Sequence, residues 1–178
     1  MSASRDELLD RLITERQLLR LSYDFCRGVD RGDTALLETL YWPGAADEHG
    51  FNATNTAREL IDALPVNRRA LDETQHHVTT HAFEIDGDRA EGEVYVVAYH
   101  RFTADDGPTV VVIGARFLDK YDRRDGIWRI SHRRAVESWS VKAPAPQDRG
   151  LDMVGRIPRA GIGADDPAHT FFDFEALR

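Results

Sequence analysis

The fold is decided by residues 74–102, TQHHVTTHAFEIDGDRAEGEVYVVAYHRF. Apolar and polar residues alternate along HHVTTHAFEI and again along RAEGEVYVVAYHRF, which is the period of a half-buried β-strand. The dipeptide Asp86-Gly87 lies between the two runs and is typical of a tight hairpin turn. We therefore predict two long antiparallel strands that are joined by a turn.

Two more strand-like runs follow downstream, TVVVIGARFLDKYDR and IWRISHRRAVESW, with the turn sequence RRDG between them. Upstream of the strands the period is helical. The spacing predicts a first helix over residues 6–29. A second helix is capped by Asp33 and ends before Pro43, and a third begins at Thr56 and is closed by Pro65. Helices followed by strands in hairpin succession predict an α+β fold, in which the helices cover one face of a curved sheet and leave a pocket.

Composition limits the possible functions. The chain has 178 residues, enough for one domain with a real core, and a net charge of −8 that argues against nucleic acid or an anionic membrane as partner. No apolar run approaches the roughly 20 residues that span a bilayer, and the N-terminus lacks the apolar centre of a signal peptide, so we predict a cytoplasmic protein. The single cysteine, Cys26, excludes an internal disulfide, and its helical position favours packing over nucleophilic chemistry.

The first helix carries one acidic residue on its predicted inward face. Residues at three- and four-residue steps form that face: Leu8, Leu12, Leu19, Tyr23, Cys26 and Asp30. A buried carboxylate without a partner is costly, so Asp30 should have one. A histidine of the facing strand would be held in one tautomer and would supply a general base. The alternative is that Asp30 caps the turn VDRGD, and the spacing leaves both interpretations open.

Three histidines lie together in the strand that begins at residue 74. Because side chains alternate along a strand, His77 and His81 should share a face about 13 Å apart, and His76 should face the other way. That separation is too large for one zinc ion. A metal site would need remote ligands such as His100 or His132, without any recognisable ligand spacing. We therefore predict no metal site.

The order VDRGD, TQHHVTT, IDGD, VIGARFLDKYDRRDGIWRI resembles the SnoaL-like group of the nuclear transport factor 2-like superfamily, over about residues 8–140. This group includes polyketide cyclases, scytalone dehydratase, bile acid 7α-dehydratase and hexachlorocyclohexane dehydrochlorinase. The resemblance implies a cone in which a curved antiparallel sheet wraps around N-terminal helices and encloses a pocket. It also implies a barrel-like domain over residues 1–141, with residues 142–178 as a C-terminal extension.

The resemblance also assigns roles to individual residues. Asp30 matches the aspartate of the family's Asp–His dyad and His77 matches the histidine, which would be the catalytic base. Arg133 matches the arginine that acts on the leaving group, with Arg134 as a competitor if a bulge exchanges their faces. The position of a lysine in the first helix of the dehydrochlorinase is held here by Phe25.

Further candidates are weaker. Tyr23 could donate a proton to a leaving oxygen or be a core tyrosine, and His100 could be a second catalytic histidine or a rim residue. His49 could lie at the pocket mouth. A buried arginine on the third strand would need a carboxylate partner. The predicted substrate-binding residues are Tyr41, Trp42, His81, Arg116 and Phe117.

An apolar pocket with one Asp–His dyad predicts a cofactor-independent lyase, which abstracts a proton from a small hydrophobic, cyclic or aromatic substrate. Dehydration, another elimination and aldol-type C–C cleavage all fit. No GxGxxG follows a strand and no P-loop is present, so no nucleotide cofactor is expected. Three alternatives remain: a cofactor-free isomerase or cyclase, a non-catalytic small-molecule-binding module, and the small subunit of a ring-hydroxylating dioxygenase.

The outer face of the second strand is partly aromatic and predicts a homodimer or homotrimer. It consists of Glu91, Glu93, Tyr95, Val97, Tyr99 and Arg101. The extension over residues 142–178 is rich in proline and glycine and ends in FFDFEAL. We expect it to be loop-like and to cover the pocket or a subunit interface with this apolar end.

Overall fold

The computed structural model describes residues 4–49, 55–145 and 155–174. Helix α1 spans Arg5–Arg31 and begins with a capping box between Ser4 and Glu7. It ends at Gly32, whose φ of 68° is left-handed and suits a residue without a Cβ. Helix α2, Thr34–Leu40, is capped by the Asp33 side chain as predicted. No helix of the described residues is long and apolar enough to cross a membrane.

Helix α3 spans Ala57–Arg69 and is opened by the predicted capping box at Thr56. The prediction that Pro65 closes it is wrong, because the helix continues for another turn. That last turn is anchored by Arg68, whose Nε donates to the carbonyl of Asp30 at 2.8 Å. A tertiary hydrogen bond thus offsets the backbone bond that proline cannot make. The same contact fixes the end of α1, where the candidate site lies.

The sheet is mixed and open. Its five strands run in the order β1-β5-β4-β3-β2, with all hairpin neighbours antiparallel. The strands are β1 Tyr41–Glu48, β2 Glu73–Asp86, β3 Arg89–Ala104, β4 Gly107–Arg124 and β5 Ile127–Pro144. The sheet was predicted to be antiparallel throughout, but β1 adds in parallel to the edge strand β5. Among the described strands, β1 does not pair with β2.

The edge strand β1 was not predicted. Tyr41 and Trp42 were expected to end the second helix, but they begin this strand instead. The reason is local: the following Pro43 and Gly44 disfavour helix, and Gly44 takes a φ of 79°. Parallel pairing places Asp47 of β1 beside Arg133 of β5, so this strand carries polar side chains toward the interior.

Strand β3 alternates between the two faces as predicted. Val94, Val96 and Ala98 are buried in the core, whereas Tyr95 is 41% exposed on the outer face. In an antiparallel pair, residues directly opposite each other point to the same side. The partners of the buried β3 residues on β2 therefore face the interior as well.

Strand β2 contains a β-bulge between Val78 and His81. Val78 pairs with Val96 and His81 pairs with Val94, so three steps along β2 oppose two steps along β3. The extra residue shifts the alternation by one position. Before the bulge, His76 and Val78 lie on the inner face, and after it His81 does.

The buried side of α1 differs from the predicted stripe. Leu19 and Cys26 are buried as expected, but Leu8 is 51% and Leu12 is 63% exposed, and Tyr23 is also exposed. The packed side is formed by Thr14, Leu18, Leu19, Ser22, Phe25, Cys26 and Gly28.

The C-terminal part begins with a longer β5 than expected, since this strand runs past residue 141 to Pro144. Within residues 155–174, a short 3-10 turn, Gly163–Asp165, precedes helix α4, Ala168–Phe171. Asp166 makes an ion pair with Arg31 at 3.2 Å, and this segment therefore lies at the end of α1. Phe171 and Phe174 are 79% and 77% exposed. A role in covering a pocket or an interface stays a prediction.

Candidate active site

The site is built around Asp30, in the last turn of α1. One carboxylate oxygen accepts a hydrogen bond from the backbone N–H of His76 at 2.9 Å. The other oxygen contacts Nδ1 of the same imidazole at 2.6 Å. The side chains of Asp30 and His76 are 19% and 11% exposed. Because the carboxylate holds both the backbone and the ring of one residue, the position of the imidazole is fixed.

The predicted partner, His77, is wrong. It pairs with Val97 on the outer face of the sheet and is exposed. In a regular strand, every second side chain points to the same face. Phe83 is buried, so regular alternation would place residues 81, 79 and 77 on the inner face with it. The bulge between Val78 and His81 inserts one residue into that alternation and brings His76 inward instead. The expectation that His77 and His81 share a face fails for the same reason.

His100 lies beside this pair, on the neighbouring strand β3. Its ring centroid is 5.3 Å from that of His76, in an edge-on arrangement. Nδ1 of His100 is 2.9 Å from the hydroxyl of Thr74. Burial, and then repulsion from His76 whenever that ring is protonated, lower the pKa of His100 from 6.5 to about 4, against the opposing effect of Asp30. His100 is therefore neutral near pH 7 and can act as a hydrogen-bonding group beside the dyad.

A cleft of about 320 Å³ opens at the dyad between α1 and β2. Its wall includes Tyr23, Cys26, Asp30, His76 and Val78. Burial raises the pKa of the Cys26 thiol to about 12. This thiol is therefore protonated at neutral pH, and it contributes shape and not nucleophilic chemistry.

The phenol of Tyr23 stands at the mouth of this cleft. The side chain is 39% exposed and the guanidinium of Arg16 lies 5.8 Å from its ring centre. Tyr23 is therefore not a core tyrosine, and its hydroxyl does not hydrogen-bond to Asp30 or His76. A role in proton donation stays a prediction.

Arg133 points into the core, whereas Arg134 points out. Arg133 is fully buried and donates two hydrogen bonds to Asp119, from Nε at 2.7 Å and from Nη2 at 2.6 Å. The hydroxyl of Tyr121 donates to the same carboxylate at 2.7 Å. Arg134 makes an exposed bidentate pair with Glu48 at 2.8 and 2.9 Å. Of the two candidates, the inward one is thus Arg133.

The Arg133 guanidinium packs against two aromatic rings that also contact each other. Its Cζ is 4.4 Å from the centre of Phe25 and 4.1 Å from that of Phe117. Phe117 was predicted to bind substrate, but it packs in the core against Phe25 at 5.4 Å. Nη1 of Arg133 is buried and has no hydrogen-bond partner within the described part of the chain. Such a group is available to an acceptor that enters the interior.

A second Asp–His contact was missed by the sequence analysis. Asp47 on β1 is fully buried and accepts a hydrogen bond from the Tyr41 hydroxyl at 2.6 Å. Its other oxygen makes a short contact with Nδ1 of His49. The His49 ring stacks on Phe25, with centroids 5.4 Å apart. The sequence feature that could have predicted this contact is the spacing Asp47-x-His49, because residues two apart on a strand point to the same face.

Burial raises the pKa of Tyr41 well above its usual value of 10, with the Asp47 charge acting in the same direction and Arg133 against it. Tyr41 therefore stays a phenol that donates to Asp47. It was expected to bind substrate, but it positions this carboxylate in the core instead.

Three other predicted substrate-binding residues lie away from the cleft. The Trp42 indole donates to the carbonyl of Asp122, at the β4–β5 end of the sheet. Arg116 lies on the outer face, where it pairs with Glu93. The alternative in which Arg116 is buried is therefore wrong. His81 is on the inner face beyond the bulge, exposed, with its ring 5.3 Å from that of Phe83. None of them lines the Asp30 cleft.

No cluster of three or more metal-ligating side chains is found within residues 4–49, 55–145 and 155–174. His132, which the sequence offered as a remote metal ligand, instead contacts Glu48 at 2.6 Å in a partly exposed pair. A larger concavity of about 590 Å³ lies on the outer face of the sheet, lined by residues such as Glu91, Leu118 and Lys120. Its lining includes the buried Asp119, but that carboxylate is occupied by Arg133, and the lining holds no Asp–His pair, so the smaller cleft is the better candidate site.

The sequence model of the SnoaL-like domain family matches residues 10–134. The chain therefore belongs to the SnoaL-like domain family. It is 27% identical over 136 residues to gamma-hexachlorocyclohexane dehydrochlorinase of Sphingobium indicum, an alignment that covers 74% of this chain and 85% of that protein. The resemblance inferred from the sequence is confirmed.

Solved structures agree on the fold. A type 2 hexachlorocyclohexane dehydrochlorinase matches with a TM-score of 0.69 and 24% identity, covering 79% of this chain and 98% of that one. A scytalone dehydratase-like protein of Novosphingobium aromaticivorans matches with a TM-score of 0.63 and 17% identity, covering 76% and 91%. The nuclear transport factor 2-like cone is confirmed, and the relatives include a lyase and a dehydratase-like protein.

Proposed function

We propose that this protein is a cofactor-independent lyase in which His76, oriented by Asp30, removes a proton from a small cyclic or aromatic substrate. The observation that carries the proposal is the two-point contact of Asp30 with the ring and the backbone of His76, at the wall of an open cleft. A fixed imidazole beside a carboxylate is the arrangement that general-base catalysis requires.

The hydrogen-bond pattern supports Nε2 of His76 as the reactive nitrogen. An ionised carboxylate only accepts hydrogen bonds, so the neutral His76 ring must donate from Nδ1. Its Nε2 then carries the lone pair. Proton abstraction therefore takes place at Nε2, with Asp30 stabilising the imidazolium that forms.

Neighbouring groups can stabilise the charge that develops. His100 is neutral at pH 7 and lies 5.3 Å from His76, so it can donate a hydrogen bond without repelling the new imidazolium. Arg133 lies outside the cleft wall, but its buried Nη1 has no partner among the described residues and suits an oxygen or a halide that becomes negative. Together these groups favour elimination, which is also the reaction named for the dehydrochlorinase relative.

The cleft limits the substrate class. Its volume of about 320 Å³ suits a molecule of one or two rings, and the apolar Cys26 and Val78 form part of its wall. The relatives are named for hexachlorocyclohexane and scytalone, which are both cyclic. We therefore propose a hydroxylated or halogenated ring compound that carries an acidic C–H group.

The test compares His76→Ala with His77→Ala. Purified protein is screened against hydroxylated and halogenated ring ketones without any added cofactor, and product formation is followed by absorbance and mass spectrometry. We expect His76→Ala to lower turnover by about 10²–10⁴-fold, the usual contribution of a general base. His77→Ala removes the adjacent exposed imidazole and should retain activity.

Circular dichroism and thermal melting establish that both variants are folded. Full activity of a folded His76→Ala protein would refute the proposal. Tight ligand binding without any turnover by the native protein would instead indicate a binding module.

A further inference from the structure

We infer that the substrate carries a carboxylate group, and that Arg27 and Arg31 bind this group at the end of α1, in the same cleft as His76. This inference rests on the proposed function and narrows its substrate class to ring compounds that are acids. Hexachlorocyclohexane, for which a relative of this chain is named, carries no charge. A requirement for an acid therefore separates this protein from that relative.

The two arginines belong to the face of α1 that forms one side of the cleft. Tyr23, Arg27, Asp30 and Arg31 are spaced by four, three and one residues, which places them on the same face of a helix. All four line the cleft of about 320 Å³ between α1 and β2. Arg27 and Arg31 are one turn apart, about 6 Å along the helix axis, so one carboxylate can lie between their guanidinium groups.

The charge of the cleft wall favours an anion. Among the described residues, this wall contains two arginines and one acidic side chain, Asp30. Each oxygen of Asp30 already contacts His76. The Arg31 side chain is only 17% exposed, and a cation with so little water around it is stabilised by a negative partner. Since the whole chain has a net charge of −8, the positive wall does not follow from overall composition.

A carboxylate of the protein itself already binds at Arg31. Asp166, from the C-terminal segment, makes an ion pair with Arg31 at 3.2 Å and is 13% exposed. Burial alone would raise the pKa of Asp166, but hydrogen bonds from the backbone N–H groups of Gly161 and Ala168, and then the charges of Arg31 and Arg27, lower it overall. The Asp166 carboxylate therefore responds to both arginines. The end of α1 is thus a place where a carboxylate is stabilised.

Arg31 can exchange this internal carboxylate for one that belongs to a ligand. Arg31 lines the cleft whereas Asp166 does not, so the guanidinium is accessible from the cleft as well as from the segment. When Arg31 turns to a ligand, Asp166 keeps the two backbone donors, Gly161 at 3.0 Å and Ala168 at 2.9 Å. Its carboxylate stays hydrogen-bonded, so the exchange leaves no unsatisfied charge behind. Asp166 is therefore a competitor of the ligand for the charge of Arg31.

The rest of the wall suits the ring of such an acid. Cys26 and Val78 give the cleft an apolar surface beside His76. A carboxylate held at the last turn of α1 anchors one end of the molecule, and the ring then packs against this apolar surface. Binding energy from a group that does not react can in this way hold a substrate next to the base.

The test compares two ligands that share a ring and differ in charge, cyclohexanecarboxylate and cyclohexanecarboxamide. Their binding to the full-length protein is measured at pH 7 and low salt by titration of ¹⁵N-labelled protein in NMR. We expect the carboxylate to bind more tightly by about tenfold or more, as for hydrogen bonds to a charged group. Because salt screens charges, this preference should shrink as the ionic strength is raised.

The variants assign the preference to the two arginines. Arg27→Met and Arg31→Met should each reduce it, and the double variant should bind both compounds equally. Asp166→Asn keeps an oxygen for the backbone donors but removes the competing charge, so it should bind the carboxylate more tightly and the carboxamide as before. The matched control is Arg20→Met, which removes an arginine of α1 that pairs with Asp24 outside the cleft wall. It should keep the full preference.

A purely structural role of Arg31 is distinguished by the ratio of the two affinities. A cation in the last turn stabilises a helix, so Arg31→Met should lower the melting temperature whatever the ligand does. General destabilisation weakens the binding of both compounds alike, whereas loss of the carboxylate site changes their ratio. Circular dichroism establishes that each variant is folded at the temperature of the titration.

The outcomes separate this inference from the proposed function. Equal binding of the two compounds by the native protein, or no binding of the carboxylate, would overturn the inference, as would a preference that persists in the double arginine variant. Equal carboxylate affinity of Asp166→Asn and native protein would overturn the competition at Arg31. His76→Ala should keep the preference, because binding a carboxylate needs no base. If His76→Ala is fully active in the turnover screen, the proposed base fails while the carboxylate preference is judged by these titrations alone.

Discussion

Replacing Arg133 by methionine should be among the most destabilising single changes in this chain. Arg133 and Asp119 are both completely buried and share two hydrogen bonds of 2.7 and 2.6 Å. Methionine fills much of the side-chain volume but leaves the Asp119 carboxylate with the Tyr121 hydroxyl as its remaining hydrogen-bond donor. Breaking a buried pair in this way costs about 3–5 kcal/mol, because one charge stays uncompensated.

The measurement is urea unfolding at neutral pH and 25 °C, followed by tryptophan fluorescence. With a urea dependence of roughly 2 kcal/mol/M, a loss of about 4 kcal/mol moves the midpoint down by about 2 M. The double variant Arg133→Met, Asp119→Leu should recover most of the lost stability, since it removes both charges and replaces them with apolar volume.

The matched control is Arg134→Met. It breaks the bidentate pair with Glu48, in which the Arg134 side chain is 57% exposed, and should lower the midpoint much less, because water screens an exposed ion pair. If Arg133→Met and Arg134→Met shift the midpoint equally, the assignment of Arg133 to the interior and Arg134 to the surface is refuted. If the double variant is no more stable than Arg133→Met, the buried charge is not the cause of the loss.

Two further predictions concern pH and the C-terminal segment. His100 binds its proton near pH 6.5 in the unfolded chain and only at about 4 in the folded protein, so the unfolded state is the more protonated between these values. The free energy of unfolding, measured by urea titration, should therefore fall as the pH is lowered from 6.5 to about 4. In His100→Gln this dependence on pH should be weaker. If the dependence is the same in both proteins, the burial of His100 is contradicted. Asp166→Ala removes the ion pair with Arg31 and the two hydrogen bonds that the Asp166 carboxylate accepts from the backbone N–H groups of Gly161 and Ala168. Trypsin should cleave this variant faster than the native protein near residues 156–159, while the melting temperature of the remaining domain should change little. If the variant and the native protein are cleaved at equal rates, Asp166 does not hold the segment.

The elements that follow from local chemistry were predictable. The capping residues Asp33 and Thr56 open helices as expected, and the alternation along β3 assigns Val94 to the core and Tyr95 to the surface. Each of these depends on neighbours within a few residues, so the amino-acid sequence contains the whole signal.

The identity of the histidine was not predictable in this way. A bulge between Val78 and His81 adds one residue to β2 without a glycine or proline to mark it. The family resemblance assigned His77 to the dyad, and regular alternation puts His77 on the same face as His81. The pairing with β3 places His76 in the interior instead. Which residue faces Asp30 is decided by the register of two strands, and that is a long-range property.

Strand β1 and Asp47 were missed for a related reason. Pro43 and Gly44 make the segment resemble a turn, and the strand is stabilised by parallel pairing with β5, nearly ninety residues away in sequence. A polar residue such as Asp47 is unfavourable in a core until Tyr41 and His49 are known to surround it.

The central claim, that Asp30 orients His76, is tested most directly by the tautomers of the two neighbouring imidazoles. Long-range proton–nitrogen NMR of protein with ¹⁵N-labelled histidine reports them, and at about pH 9 free imidazole is neutral. In the native protein we expect His76 to carry its proton on Nδ1, because that nitrogen faces the Asp30 carboxylate at 2.6 Å. In Asp30→Asn, the amide can donate to Nδ1, so the proton of His76 should move to Nε2 while the signals of His77 stay unchanged. A response of His77 instead, or a His76 tautomer that does not depend on Asp30, would contradict the account.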